Sequence, residues 1–195
     1  MRKIILSTPI TLDGYIEGPH RELDWVNADD ELHDFFTQEL KDTDLLLFGR
    51  VAYELLAGYW PAATSDPSLP RAMVDFANTI NPLPKIVYTT TLKETGWNTT
   101  IRRSLVPEEI MEMKMQPGKN IGLSGGATIA GTFLRHGLVD EIRLMIQPVA
   151  IGSGKSLFGG LEDNLKLEFL WQKAFQSGAV ALCYRPAGKV GKVQP

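Results

Sequence analysis

Apolar positions along the chain fall into short runs separated by longer stretches with helical spacing. "KIILSTPI", residues 3–10, predicts a buried first strand. "TLDGYIEGPHRELDW" then predicts a long loop, since Gly14, Gly18 and Pro19 punctuate it and its acidic residues favour turns. In "ADDELHDFFTQELK", residues 28–41, Leu32, Phe35, Phe36 and Leu40 share one helical face, with Asp29 or Asp30 placed to cap the N-terminus. "DLLLFG" reads as a second strand and "RVAYELLAGYW" as a short helix, closed by the turn-rich "PAATSDPSLP". "RAMVDFANTI" is a third helix, and "PKIVYTTT" a strand whose β-branched content suits a central position. "PEEIMEMKM" places Pro107 at a first helical position with acids in the first turn.

The second half repeats the alternation. "KNIGLSG" is a strand and "ATIAGTFLRHGL" its helix, followed by the long strand "DEIRLMIQPVAIG" and the glycine-rich loop "GSGKSLFGG". "LKLEFLWQKAFQSGAVALCYRP" predicts two antiparallel strands joined by a turn at Ser177 and Gly178. The pattern is that of an α/β fold, a sheet covered by helices. With 195 residues, 44% of them hydrophobic, and no linker-like segment, we expect one domain over residues 1–186 and a flexible tail over 187–195.

Composition removes several function classes. A formal net charge of -3 argues against a general nucleic-acid binder. No segment reaches the roughly 18 apolar residues of a membrane span, and polar residues interrupt "MRKIIL" before a secretory core could form, so a cytoplasmic protein is expected. The single cysteine, Cys183 in "AVALCYR", excludes an intramolecular disulfide and reads as a packing residue. His20, His33 and His136 lack zinc-site spacing, so no metal is expected. The long apolar final strands and the "GSGKSLFGG" loop lead us to expect a homodimer.

Three places follow a predicted strand, where open α/β sheets bind ligands. Gly49 and Arg50 in "FGRVAYE" offer close backbone approach and a planar fork of donors, or simply a turn glycine and a surface arginine. Thr89, Thr90 and Thr91 in "VYTTTL" offer hydroxyls, although threonine is also an ordinary strand residue. "IGLSGGATIAG", residues 121–131, sets Ser124, Gly125 and Gly126 between a strand and a helix, an arrangement suited to an anion on bare backbone amides.

Taken in order, "TLDGYIEG", "LLLFGRVAYE", "LSGGATIAGTFL" and "PVAIGSGKSLFGG" resemble the dihydrofolate reductase-like superfamily, most closely its branch containing the reductase domain of bacterial riboflavin biosynthesis proteins. The resemblance runs over about residues 3–186. It implies a three-layer α/β/α fold with a mixed, mostly parallel eight-stranded sheet and an antiparallel C-terminal strand. It further implies NADPH as hydride donor and a small planar heterocycle as substrate. Gly49 and Arg50 match the family's glycine–arginine pair, whose arginine faces the adenosine 2′-phosphate. Ser124, Gly125, Gly126 and Ala127 match its glycine pair beside the pyrophosphate, and Thr128 and Ile129 would continue that wall. Thr89 or Thr91 matches a position near the 2′-phosphate, and Ile16 the apolar residue that covers the nicotinamide.

Two departures stand out. Ala52 replaces the family's threonine two residues after the arginine, and no arginine follows "KIVYTTT", which leaves Arg50 as the main 2′-phosphate ligand. For the proton that accompanies hydride transfer, Asp13 in "TLDGYI" matches the family's acidic loop residue, its other reading being a turn aspartate. Asp30 follows Trp25 by five residues, the spacing of the pterin-binding carboxylate in dihydrofolate reductases; its other reading is helix capping among Asp29, Asp30 and Glu31. Trp25, Tyr59 and Trp60 offer flat surfaces for a heterocycle or lids for a core, and Lys155 a cation for a substrate phosphate or a solvated side chain. Three functional readings follow: an NADPH-dependent oxidoreductase acting on a pyrimidine of the riboflavin-pathway type or a pterin, a non-catalytic nucleotide-binding protein that keeps the fold, and a structural subunit whose glycines only shape turns.

Overall fold

The computed structural model describes residues 1–161 and 163–190. They form an α/β fold whose mixed, mostly parallel sheet has eight strands, four from each of two compact units. The first unit comprises residues 1–3 and 28–125, the second residues 4–27 and 126 onward.

In the first unit, α1 (Asp30–Lys41) leads into β3 (Thr43–Gly49), the earlier strands β1 (Ile4–Thr11) and β2 (Tyr15–Glu17) belonging to the second unit. The segments α2 (Arg50–Ala57), α3 (Trp60–Ala63) and α4 (Arg71–Ile80) precede β4 (Lys85–Tyr88), β5 (Thr99–Arg102), α5 (Pro107–Met115) and β6 (Asn120–Ser124). Its strands lie in the order β5-β4-β3-β6, all parallel. The core forms because alternate residues of β3 point to one face: Leu46 and Phe48 meet Tyr53, Trp60, Ala63, Ala77, Ile80 and Val87. Each fully buried side chain of that size contributes about 1.5–3 kcal/mol. Leu47, also fully buried, takes the opposite face. The β6 strand can lie close against Leu46 only because residue 122 is glycine, since a Cβ there would stand 2.7 Å from Leu46 Cδ2. Trp60 packs in this core against the buried His33, the rings edge to face at 6.3 Å between centroids.

The second unit contains β1 (Ile4–Thr11), β2 (Tyr15–Glu17), α6 (Ala127–Arg135), β7 (Glu141–Gln147), β8 (Lys155–Ser156), β9 (Asn164–Ala174) and β10 (Val180–Val190). The order is β1-β7-β10-β9, with β1 and β7 parallel and β10 antiparallel to both its neighbours. The turn of the final hairpin lies where predicted, with Gly178 at φ 84° and Phe175 N–H bonded to Ala179 O at 2.9 Å.

Several expectations are corrected. The helix expected from Ala28 begins at Asp30, because Asp29 accepts the Leu32 N–H at 2.9 Å and so acts as the N-cap. The long loop after β1 contains β2, which pairs with β8 in a two-stranded sheet, and Lys155 in β8 faces Glu17 at 3.7 Å instead of solvent alone. The strand β7 ends at Gln147, before Pro148, and β5 was not foreseen. Of the expected tail, residues 187–190 continue β10, and residues 191–195 lie outside those described. No helix among the described residues is long and apolar enough to cross a membrane.

One buried cation ties α4 to β4. Lys85 is 1% exposed and donates to the carbonyls of Ile80 (2.9 Å), Asn81 (3.2 Å) and Leu83 (2.6 Å), with its ammonium 4.2 Å from the Trp97 ring centre. Burial lowers its pKa to about 8. Lys85→Met should reduce the unfolding free energy by about 2 kcal/mol, since it strands buried carbonyls. Because the folded state binds fewer protons than the unfolded chain from pH 8 to the ordinary lysine value of 10.5, wild-type stability should rise relative to the variant across that window. Urea titrations of both proteins at pH 7 and pH 10 measure the two effects.

Candidate functional site

Parallel pairing brings three strand ends of the first unit level. Phe48 of β3 stands beside Ser124 of β6, and Gly49 beside Tyr88 of β4. Arg50, Thr89 and Gly125 therefore leave the sheet at the same carboxyl edge. Beyond β4, Tyr88 pairs with Arg102 at the end of β5, which adds Arg103 to this edge. The phenol of Tyr88 is pushed up to about 12 by burial, against the pull of Arg102, and stays neutral.

Arg103 is the functional candidate that sequence reading missed. Its Nη1 donates to the carbonyls of Leu92 at 2.6 Å and Thr89 at 3.2 Å, which fixes an exposed guanidinium beside the threonine turn. No arginine follows β4 directly, and Arg103, just past the end of β5, is the basic residue that lies against its threonine turn. Thr89 itself is buried, and its Oγ1 accepts the N–H groups of Thr91 and Leu92, both at 3.2 Å. It shapes the turn, while Thr91, exposed, presents the hydroxyl 3.5 Å away. Arg50 opens α2 and pairs with Glu54 at 2.7 Å, one turn along the helix, with 39% of its side chain exposed.

Helix starts differ in how their free N–H groups are met. The α1 start has its Asp29 cap and Asp30 and Glu31 in the first turn; Asp30 is exposed there, complementing the dipole. The α2 and α6 helices open on Gly49 and Gly126, without a side-chain cap and without an acid in the first turn. In α6 the first helical bond runs from Ala130 N–H to Gly126 O, so the amides of Ala127, Thr128 and Ile129 have no carbonyl within the helix. A Cβ added at Gly126 would meet nothing within 4 Å. The Ile129 side chain is buried, so it offers its backbone, not a side-chain wall.

In the second unit, Asp13 sits in a turn that Gly14 makes possible at φ 89°. Its carboxylate accepts from Thr11 Oγ1 at 2.6 Å, Gly152 N–H at 2.7 Å and Ile151 N–H at 3.1 Å. The Thr11 hydroxyl foremost, then these amides, hold its pKa below the usual carboxylate value against slight desolvation. These bonds clamp the carboxylate to the Ile151–Gly152 backbone, as the turn-aspartate reading of this residue has it. Ile16 in β2 is buried at 7% exposure, and Trp25 is half-buried with Nε1 donating to Glu22 O at 3.1 Å. Tyr59 is 44% exposed, whereas Trp60 is a core residue. No group of three or more metal-ligating side chains occurs among the described residues.

Asp13→Ala should release the clamp: amide exchange at Ile151 and Gly152 should quicken several-fold, as hydrogen exchange read by NMR would show. In the wild type the clamp should persist above the ordinary aspartate pKa and fail only as pH falls through the lowered folded value.

Comparison with known proteins follows the same lines. The chain is 36% identical over 183 residues to the uncharacterized protein YyaP of Bacillus subtilis strain 168, covering 94% of each. It is 32% identical over 112 residues to the riboflavin biosynthesis protein RibD of Escherichia coli K12, spanning 47% of this chain and 30% of that protein. Among solved structures, a protein of Shewanella sp. PV-4 superposes with a TM-score of 0.73 at 22% identity, covering 96% of this chain and 100% of that one. The deaminase/5-amino-6-(5-phosphoribosylamino)uracil reductase of Thermotoga maritima gives 0.65 at 18% identity, covering 95% of this chain and 57% of that one. These structures share the fold, and the RibD C-terminal domain matches residues 2–181. The chain belongs to the RibD C-terminal domain family.

Proposed function

We propose that the protein is an NADPH-dependent reductase acting on a small planar heterocycle, a pyrimidine of the riboflavin-pathway type or a pterin. The observation that carries this reading is the carboxyl edge of β5-β4-β3-β6, where Arg50 opens α2 on an uncapped start and Arg103 stands by the threonine turn. Such an edge suits a ligand with several phosphates. The named activities of relatives, riboflavin biosynthesis and 5-amino-6-(5-phosphoribosylamino)uracil reduction, support the reductase class.

In this reading Arg50, Arg103 and Thr91 meet the 2′-phosphate, and the amides of Gly125 through Ile129 meet the diphosphate. The glycines Gly49 and Gly126 leave the backbone open to it. Ile16 and Trp25 are the apolar surfaces for the nicotinamide and the heterocycle. NADPH, when bound, supplies the hydride. Asp13 keeps its loop in place through Thr11, Ile151 and Gly152. The enzyme acts in the cytoplasm as a homodimer, joined through the partly exposed apolar rows of β9 and β10; light scattering tests the pairing.

A second reading, a nucleotide-binding protein without turnover, draws on the same observation that Asp13 is fully engaged as a hydrogen-bond acceptor. Stoichiometric NADPH binding with no oxidation by pyrimidines, pterins or flavins would favour it.

Nicotinamide fluorescence titrations test the cofactor assignment. Arg50→Ala and Arg103→Ala should each weaken NADPH binding about tenfold, as loss of a charge-assisted hydrogen bond implies, while changing NADH binding about twofold or less. Glu54→Gln should tighten NADPH by freeing Arg50 from its ion pair. Equal losses for both nucleotides in the arginine variants would remove the 2′-phosphate assignment.

A further inference from the structure

At the carboxyl end of β7, Gln147 is wholly buried and only half satisfied. Its Oε1 accepts the Asn27 N–H at 3.1 Å, while Nε2 has no hydrogen-bond partner among the described residues. The Asn27 donor fixes the orientation of the carboxamide: a flipped amide would set N–H against N–H. What remains is an NH2 group with two protons to give, in a place where an unmade hydrogen bond is costly.

The position of this group is specific. Gln147 stands in register with Thr11 of the parallel β1, so the two side chains share one face of the sheet at the edge from which the Asp13 turn departs. Thr11 is itself buried, and its hydroxyl is committed to Asp13 and to Tyr15 N–H at 2.9 Å. The segment that reaches Gln147 is the turn-rich stretch between β2 and α1. Its bonds close locally: Gly18 N–H to Glu22 O, Val26 N–H to Leu23 O and Trp25 Nε1 to Glu22 O, each within 3.0–3.1 Å. Asn27 then fastens its end to the carboxamide. The segment that carries Trp25 therefore rests on the same side chain that holds the unused donors.

We infer that Gln147 is a specificity-determining donor for the substrate: when Trp25 and Val26 move aside and Asn27 N–H keeps Oε1 occupied, Nε2 gives a hydrogen bond to a ring carbonyl oxygen of a planar heterocycle. The inference rests on the proposed reductase reading and deepens it, since it names the functional group the substrate must present. A carboxamide whose oxygen is occupied donates and does not accept. Oxo-heterocycles are selected, and rings whose edge carries only amino groups are refused.

The test uses the full chain with uracil, lumazine and a 2,4-diaminopyrimidine as probes. Side-chain 15N–1H spectra follow the Gln147 NH2 pair, assigned by its loss in Gln147→Leu, and NADPH oxidation is assayed separately. Uracil or lumazine should move that pair downfield, and the diaminopyrimidine should not. Gln147→Leu should weaken binding of the oxo-heterocycle about tenfold, while its thermal midpoint stays equal to or above that of the wild type, because a buried unpaired amide is removed. Gln147→Glu should weaken it too, since it exchanges donors for acceptors. The inference is overturned if no probe moves the resonance, if the NH2 protons respond only to water, or if Gln147→Leu binds the oxo-heterocycle as the wild type does. NADPH oxidation alongside any of those results would leave the reductase reading standing. A shifted resonance with no NADPH binding would keep the donor and remove the reductase.

Discussion

Parallel strands that end level decide what the first unit of this molecule can present. Hydrogen bonding between parallel strands carries each one out of the sheet at the same edge, and the helix that follows begins there with amides it cannot use itself. The register of Phe48 with Ser124 and of Gly49 with Tyr88 thus sets Arg50, the threonine turn and the end of β6 side by side. Gly122 guards that register, because its missing side chain is the space into which Leu46 packs. A slip by one residue would turn Leu46 and Phe48 to the wrong face and empty the core beneath the edge.

The helix starts of this chain differ in the charge they carry. At α1 and α5 the chain provides its own carboxylates, Asp30 with Glu31 and Glu108 with Glu109. At α2 and α6 it provides none. The nearest acid to Arg50 is Glu54, and an exposed pair of this kind is worth about 0.3–0.5 kcal/mol on a helix. It can orient the guanidinium without competing strongly for it. Arg103 is oriented differently, by two backbone carbonyls that take no charge from it. Both arginines are held in place in advance, which reduces the side-chain entropy lost on meeting a phosphate.

How much of this was legible in the sequence depended on the length of each signal. The α4 and α5 helices have the bounds that their periodicity and Pro107 predict, because ten and nine residues repeat an apolar face or a capping pattern. The glycines at 49, 125 and 126 and the basic residue at 50 could be placed because they adjoin long strands. By contrast β5 is four residues with Ile101 as its one large apolar side chain, and it becomes a strand only by pairing with β4. Missing β5 meant missing Arg103, which lies 14 residues from Thr89 in sequence and within a hydrogen bond of it in space. The small β2–β8 ladder escaped for the same reason, with three and two residues. The role of Asp13 was ambiguous because its partners at Ile151 and Gly152 lie 138 and 139 residues along the chain.

Asp13 and Gln147 show why the type of a residue is a poor guide to what it can do. An exposed aspartate in a loop is the obvious candidate for proton chemistry, yet a hydroxyl and two amides already use its lone pairs, and each of those bonds favours the charged form. A buried glutamine beside it in the fold looks like an ordinary strand residue. Its oxygen is taken and its nitrogen is not, so it has a definite polarity and a bond left to make. What a group can offer a ligand is its capacity minus what the protein has already claimed. By that measure the carboxylate maintains the loop, and the carboxamide is the group with something left to recognise.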